Sequence, residues 1–371
     1  MRLLEISGSG YEMGEAHGRA VGKLIAQIAD DNRASLQLLA QRRADLDLDK
    51  ALLDRRIRDL IPFIADTSPE LWTETQGIAA GANVALNDVV ALNAFLDLHD
   101  LTFPSIEASL AAPGCCTSVA LRSDDTDTAF IGQNYDVRDL FGEGPLVMDI
   151  RPSDGPRALV ASFAGMVGCA GINEHGVAVM INNLTPLDAG LGLTHAYVVR
   201  SILAAENISS AINAVVGVQR SSGFNYLLGD SNGEIIGLET SATGVATYLP
   251  NTLGVTCHSN HYLDPSLIPG EVQDVRNGDT IARHARASHL LPRAAMSQDP
   301  LRQCMSILAD HANFPTSICR HVPAGAAAED PHWRLTQGRT VFSVFADMKR
   351  KSLWYCEGNP CTGRYEELTF S

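Results

Sequence analysis

The run Cys115-Cys116-Thr117-Ser118 follows a Pro113-Gly114 turn near the end of the first third of a 371-residue chain. A cysteine that opens a strand just after a glycine-containing turn suits one chemistry well. It can attack the peptide bond before it, cut the chain, and become a new N-terminal nucleophile. A thiol nucleophile needs a base. The α-amino group freed by such a cut has a pKa of about 7.7–8.0, far below that of lysine, so it takes a thiol proton near neutral pH. Cys116 then supplies both nucleophile and base. The scheme also needs an oxyanion donor and groups that hold the amine and the thiolate.

Other chemistries are less well served. Gly8-Ser9-Gly10-Tyr11-Glu12-Met13-Gly14 sits between an apolar Leu3-Leu4-Glu5-Ile6 and a helical stretch, like a dinucleotide-binding loop. Its spacing has one residue too many, and more helix follows where a parallel strand is needed. A tight strand-to-helix turn is the simpler reading. His258 and His261 lie three apart in a strand-like segment, on opposite faces. His284 and His289 are five apart, off one helical face. There is no His-Glu-x-x-His. Eight cysteines without a Cys-x-x-Cys pair point to reduced thiols, and Cys356 and Cys361 read as structural or incidental. No metal and no cofactor are expected.

The net charge of −15 (28 basic, 43 acidic residues) disfavours nucleic acid and anionic membrane as partners. No apolar run approaches the ~18 residues of a membrane helix, and Met1 to Gly8 has too short an apolar stretch for a signal peptide. A cytoplasmic protein acting on a small molecule is expected. The sequence leaves its oligomeric state open.

The elements that must position Cys116 change texture at the cysteine pair. Residues 11 to about 105 carry helical periodicity, with Met13, Ala16, Ala20, Leu24 and Ile28 on one face. After Thr117, turns at Ser123–Thr126, Ser153–Gly155 and Asn173–Gly176 separate strand-like runs, and three hairpins in a row predict antiparallel sheet. A helix over 196–216, strands at 224–228 and 234–239, helix over 281–312 and a closing hairpin at 340–346 and 352–355 complete an α+β layered domain.

The residues around the nucleophile then carry a specific likeness. Tyr11-Glu12-Met13-Gly14-Glu15-Ala16-His17-Gly18, Cys116-Thr117-Ser118, Gly132-Gln133-Asn134-Tyr135-Asp136, Ser259-Asn260-His261 and Phe314-Pro315-Thr316-Ser317-Ile318-Cys319-Arg320 occur in order along almost the whole length. In these the chain resembles the isopenicillin N acyltransferase family, part of the N-terminal nucleophile hydrolases. The resemblance implies that Cys116 is the nucleophile and that Asp136 holds the new α-amino group. It implies that Asn260 donates its amide to the oxyanion and that Arg320 lies near the thiolate. Ser222 matches a pocket serine, and Tyr135, Phe224 and His261 complete the candidate pocket. His17 is read as a packing residue, and Cys257 and Cys319 as buried thiols beside the site. One departure is the vicinal Cys115-Cys116, where the penicillin-processing member of the family has Gly-Cys. Thr117-Ser118 sets the register, which puts the cut between Cys115 and Cys116.

The expected fold is therefore a four-layer αββα sandwich, one domain self-cleaved into residues 1–115 and 116–371. The expected reaction is hydrolysis of a small N-acyl amide through a Cys116 thioester. The alternative is acyl transfer from coenzyme A thioesters or amides. An NAD(P)-binding oxidoreductase built on the Gly8 loop and a non-catalytic relative are the rivals outside that class.

Overall fold

Turn chemistry makes the hairpins, but burial sorts them into two sheets. The computed structural model describes residues 1–41, 50–102, 116–272 and 278–370. Cys115 and the Pro113-Gly114 turn lie outside the described residues. The chain opens with β1 (Leu3–Gly8), followed by α1 (Gly10–Gln41), α2 (Lys50–Thr67), α3 (Pro69–Ala82), α4 (Leu86–Asn93) and α5 (Phe95–Thr102). Strands β2 (Thr117–Ser123), β3 (Thr128–Arg138), β4 (Pro145–Pro152), β5 (Ala158–Phe163), β6 (Ala170–Asn173) and β7 (Ala178–Leu184) come next. After α6 (His195–Leu203) and α7 (Ile208–Val216) come β8 (Gly223–Gly229), β9 (Ile235–Thr240), β10 (Val245–Tyr248) and β11 (Val255–His258). The last third holds α8 (Gly278–Ala295), α9 (Pro300–Leu308), α10 (Ala326–Glu329), α11 (Trp333–Thr336), β12 (Gly338–Asp347), β13 (Ser352–Glu357) and β14 (Glu366–Thr369).

One sheet has the order β1-β4-β5-β6-β7-β8-β9-β10 and the other β11-β2-β3-β12-β13-β14. The three consecutive hairpins thus do not share a sheet: β2-β3 belongs to the second, β4-β5 and β6-β7 to the first. Nearly every residue of β3, β5 and β7 is buried, because each strand is covered on both faces. Strands β2 and β3 pack on β7, while α1, α6 and α7 lie on the outside of the first sheet and α8 and α9 on the outside of the second. This is the expected αββα layering, read directly from the strand order and the packing. Residues before Cys116 contribute an edge strand as well as helices, since β1 pairs parallel with β4.

Two expected long helices are each broken in two. Asn207 restarts the first with a capping box: its side chain accepts from the Ser210 amide at 3.0 Å and its own amide donates to Ser210 Oγ at 3.3 Å. Asp299 restarts the second, accepting from the Arg302 amide at 3.1 Å with Pro300 at the first helical position.

The Gly8 loop is architectural. Glu12 Oε2 accepts from the Ser9 amide and the Ser9 hydroxyl, each at 2.8 Å, so a carboxylate already occupies the helix N-terminus that a phosphate would need. Downstream, α1 and α3 touch through backbone. A Cβ on Gly14 would lie 2.0 Å from the Glu74 carbonyl oxygen, and one on Gly77 would lie 2.2 Å from that of Tyr11. His17 is fully buried and accepts the Gly165 amide on Nε2 at 3.0 Å. Burial, and next the Arg200 charge, lower its pKa to about 4. The Glu-Met-Gly-x-x-His-Gly run therefore seats the first helix.

Candidate active site

Strand alternation aims the Cys116 region at two different layers. Val119 and Leu121 of β2 pack with Ala287 and Leu291 of α8. Ser118, on the other face, donates from Oγ to Asn182 Oδ1 on β7 at 2.7 Å, and Asn225 Nδ2 of β8 donates to the same oxygen at 2.9 Å. Cys116 is 3 % exposed and belongs to the core that includes Ala120 and Tyr135. Its place is the seam between the sheets.

Helix α8 supplies the group that binds the Cys116 backbone. Arg283 is buried, and its Nη1 donates to the Cys116 carbonyl at 2.8 Å and to Thr117 Oγ1 at 3.0 Å. Its Nη2 donates to Asn260 Oδ1 at 3.0 Å, and its Nε to Asp279 Oδ1 at 2.6 Å. One planar guanidinium thus ties Cys116 and Asn260 together, a use of the fixed donor fork that lysine cannot reproduce. Asn260 is also held by its backbone amide, which donates to Thr280 Oγ1 at 2.8 Å, and its Nδ2 donates to the Asn183 carbonyl at 3.0 Å. An amide nitrogen carries two hydrogens, so one remains for an oxyanion.

Asp136 lies on β3, antiparallel to β2, with Thr117 paired to Asn134 two residues before it. That register brings the Asp136 end of β3 alongside Cys116. The carboxyl is fully buried, and neither oxygen has a hydrogen-bond donor in good geometry among the described residues. Burial raises its pKa to about 7, Asp279 adds to the rise, and Arg320, Arg283 and the Thr340 hydroxyl oppose it. Arg320 donates from Nη2 to Asp279 Oδ2, and its amide donates to Thr340 Oγ1 at 3.0 Å. The guanidinium that holds the Cys116 carbonyl is that of Arg283; Arg320 braces Asp279 and faces Asp136.

The candidate pocket residues separate. Tyr135 stacks on Phe342 at 4.9 Å and meets the edge of Phe163, in the same inter-sheet core as Cys116. His261 packs beside Asn260, with Nδ1 3.0 Å from Thr280 Oγ1. Ser222 donates to Asp100 Oδ2 in a buried acidic cluster under α5. Burial, and next the Asp97 charge, raise the Asp100 pKa well above the ordinary carboxyl value, against the Ser222 bond. Phe224 lies on the other face of β8 from Asn225. It stacks on His195 of α6 at 4.8 Å, and alternation turns it to the helical layer while its neighbour Asn225 faces Asn182.

Arg283, Asp279 and Thr280 were missed by the sequence reading. In sequence Asp279 and Arg283 are an ordinary i,i+4 pair; only burial of the arginine beneath β2 makes it a clamp. The sequence also left four further residues scattered. His311, Cys319, His321 and Cys361 converge in one cluster.

Among known proteins, the family described as "Acyl-coenzyme A:6-aminopenicillanic acid acyl-transferase" matches residues 122–361. The acyl-coenzyme A:6-aminopenicillanic-acid-acyltransferase 40 kDa form of Emericella nidulans is 25% identical over 347 residues, covering 92% of this chain and 88% of that protein. Among solved structures, penicillin V acylase from Agrobacterium tumefaciens aligns with TM-score 0.42 and 15% identity, over 69% of this chain and 86% of that one. A mutant of conjugated bile acid hydrolase from Clostridium perfringens aligns with TM-score 0.44 and 11% identity, over 69% and 97%.

Proposed function

Because the chain belongs to the acyl-coenzyme A:6-aminopenicillanic acid acyl-transferase family, we propose that it is a self-processing cysteine enzyme that cleaves a small N-acyl amide through a Cys116 thioester. The observation that carries this reading is Arg283, which binds the Cys116 carbonyl and the Asn260 side chain at once. It brings nucleophile and oxyanion donor into one frame before substrate arrives, the preorganisation that makes such sites effective.

Processing comes first. Cys116 Sγ attacks the carbonyl of Cys115, the Cys116 nitrogen leaves as an amine, and water releases the Cys115 carboxylate. The products are residues 1–115 and 116–371, held together by β1 pairing with β4 across the cut. In the mature site the α-amine takes the thiol proton as Sγ attacks the substrate carbonyl. Asn260 Nδ2 donates to the oxyanion. Collapse breaks the C–N bond, and the α-ammonium returns the proton to the leaving amine. Water, activated by the same amine, then cleaves the thioester. Asp136, whose buried carboxyl has no ion-pair contact among the described residues, is matched to the cationic form of that amine.

Acyl transfer to an amine is the second reading, favoured by the family's description. Against a coenzyme A donor stands the placement of the obvious basic cluster. Lys349, Arg350 and Lys351 form the β12–β13 turn, where Lys349 pairs with Asp127 at 3.3 Å and Arg350 with Asp347 at 3.8 Å. Hydrolysis is therefore proposed as the main activity. Free thiols at all seven described cysteines support a reducing, cytoplasmic setting, and no described helix is long and apolar enough to cross a membrane.

Intact mass spectrometry tests the core of this reading. Wild-type protein should separate into two chains that join at Cys115/Cys116, and Cys116→Ala should remain one chain. An uncut wild-type protein that turns over amides would refute the N-terminal base. Assaying an amide with and without excess amine, and an acyl-coenzyme A with that amine, separates hydrolysis from transfer.

A further inference from the structure

Four metal-ligating side chains converge on the loop after α9 and the turn after β13, apart from the catalytic frame. One donor-type atom each from His311, Cys319, His321 and Cys361 lies within 4.8 Å of the other three. His311 Nε2 is 3.1 Å from His321 Nε2, and the sulfurs of Cys319 and Cys361 are each 3.5 Å from that same nitrogen. A tetrahedron with Zn–N of about 2.0–2.1 Å and Zn–S of about 2.3 Å has edges of about 3.3 Å between nitrogens and about 3.6 Å between nitrogen and sulfur. The three edges at His321 Nε2 match these to within a few tenths of an ångström, and the other three are no longer than 4.8 Å. Ordinary hydrogen bonding does not explain the grouping. An imidazole nitrogen offers one hydrogen or one lone pair, yet three donor-type atoms crowd around His321 Nε2.

The surroundings fit a closed, structural site. Two thiolates and two neutral imidazoles balance a divalent charge and leave no open position. Asn359 Nδ2 donates to Cys319 Sγ at 3.4 Å and to the Arg320 carbonyl at 2.7 Å, an outer-shell contact of the kind that orients ligands. The loop is pinned by the Cys319 amide donating to the Asp310 carbonyl and the His321 amide to that of Pro315, each at 3.0 Å. Arg320 lies between two of the ligands, so an ion here fixes the chain on both sides of the residue that braces Asp279.

We infer that the chain binds one zinc ion through His311, Cys319, His321 and Cys361, a structural site that anchors the Arg320 segment. The ion's binding does not depend on the acyl-transfer reading; only the consequence for Arg320 does. The test uses full-length protein purified without chelators from zinc-supplemented cells. Elemental analysis should find one zinc per chain. Exchange for cobalt should give thiolate-to-cobalt charge-transfer absorption with the d–d bands of a tetrahedral ion, and Cys361→Ser should lose the charge-transfer contribution of that sulfur. His311→Ala, at the exposed rim, should keep the wild-type circular dichroism. In competition with a chromophoric chelator its zinc affinity should fall at least by the roughly 10–100-fold that outer-shell changes cost. Zinc no higher in wild type than in the two variants would overturn the site, as would a cobalt spectrum that Cys361→Ser leaves unchanged. So would a Cys319–Cys361 disulfide in anaerobically purified protein. Self-cleavage is read separately by mass, so failure of the metal site and failure of the proposed chemistry are distinguishable.

Discussion

Replacing Asp136 by asparagine in the uncut Cys116→Ala protein should make stability much less dependent on pH. In the folded chain this carboxyl is wholly buried and its pKa stands at about 7 against an ordinary value of 3.8. Burial is the main cause, since it penalises the ionised form. The sign follows from proton counting. Between about pH 4 and 7 the unfolded chain has released this proton and the folded chain has not, so the folded state binds more protons and stability falls as pH rises. The gap corresponds to about 4 kcal/mol at 1.36 kcal/mol per pH unit, of which about 3 kcal/mol falls between pH 5 and 8. Asparagine cannot ionise and removes that loss, while every other titrating group is common to both proteins. Urea unfolding of both at about pH 5 and pH 8 isolates the difference. Parallel stability changes in the two would refute the claim that Asp136 is a buried, poorly compensated acid. Maturation adds a second check. The α-ammonium released at Cys116 would lower the carboxyl's pKa, so the cut enzyme should show a smaller pH dependence than the Cys116→Ala precursor.

Asn260→Ala should lower kcat/KM by about 10²–10³, as expected for loss of a donor to the transition state, and cost about 1–3 kcal/mol of stability, because the buried Arg283 Nη2 and Asn183 carbonyl lose their partner; near-normal turnover would remove Asn260 from the oxyanion role. Arg283→Met should slow self-cleavage in a mass-resolved time course and destabilise the fold by about 1–3 kcal/mol, because the Cys116 carbonyl and Asn260 Oδ1 lose their buried donor while Asp279 keeps Arg320. A cleavage time course like that of wild type would show that the clamp is not needed for processing. Gly77→Ala should cost at least about 1–3 kcal/mol in denaturant unfolding, since its Cβ meets the Tyr11 carbonyl at 2.2 Å; an unchanged midpoint would contradict the close approach of α1 and α3.

Cys116 after its turn and at the start of a strand is legible in sequence because that signal is local, whereas Asp136 and Asn260 were singled out only by the resemblance to the family. Hairpins are legible for the same reason, since turn residues act on their nearest neighbours. The facing of Phe224 was not legible: alternation tells which residues share a face, and only the partner layer tells which face meets which layer.

By itself, then, the sequence determined the run of hairpins and the helical stretches between them, which cysteine follows a turn, and the order of the motifs along the chain. Tertiary structure decided how the hairpins divide between two sheets, that Arg283 lies under Cys116, and that Asp136 is wholly buried. It also decided that His311, Cys319 and His321 meet Cys361 from some forty residues further along the chain. The physical reason is range. Local order comes from backbone torsion and nearest-neighbour hydrogen bonds, whereas desolvation, charge pairing and ligand convergence depend on which distant segments packing brings within a few ångströms.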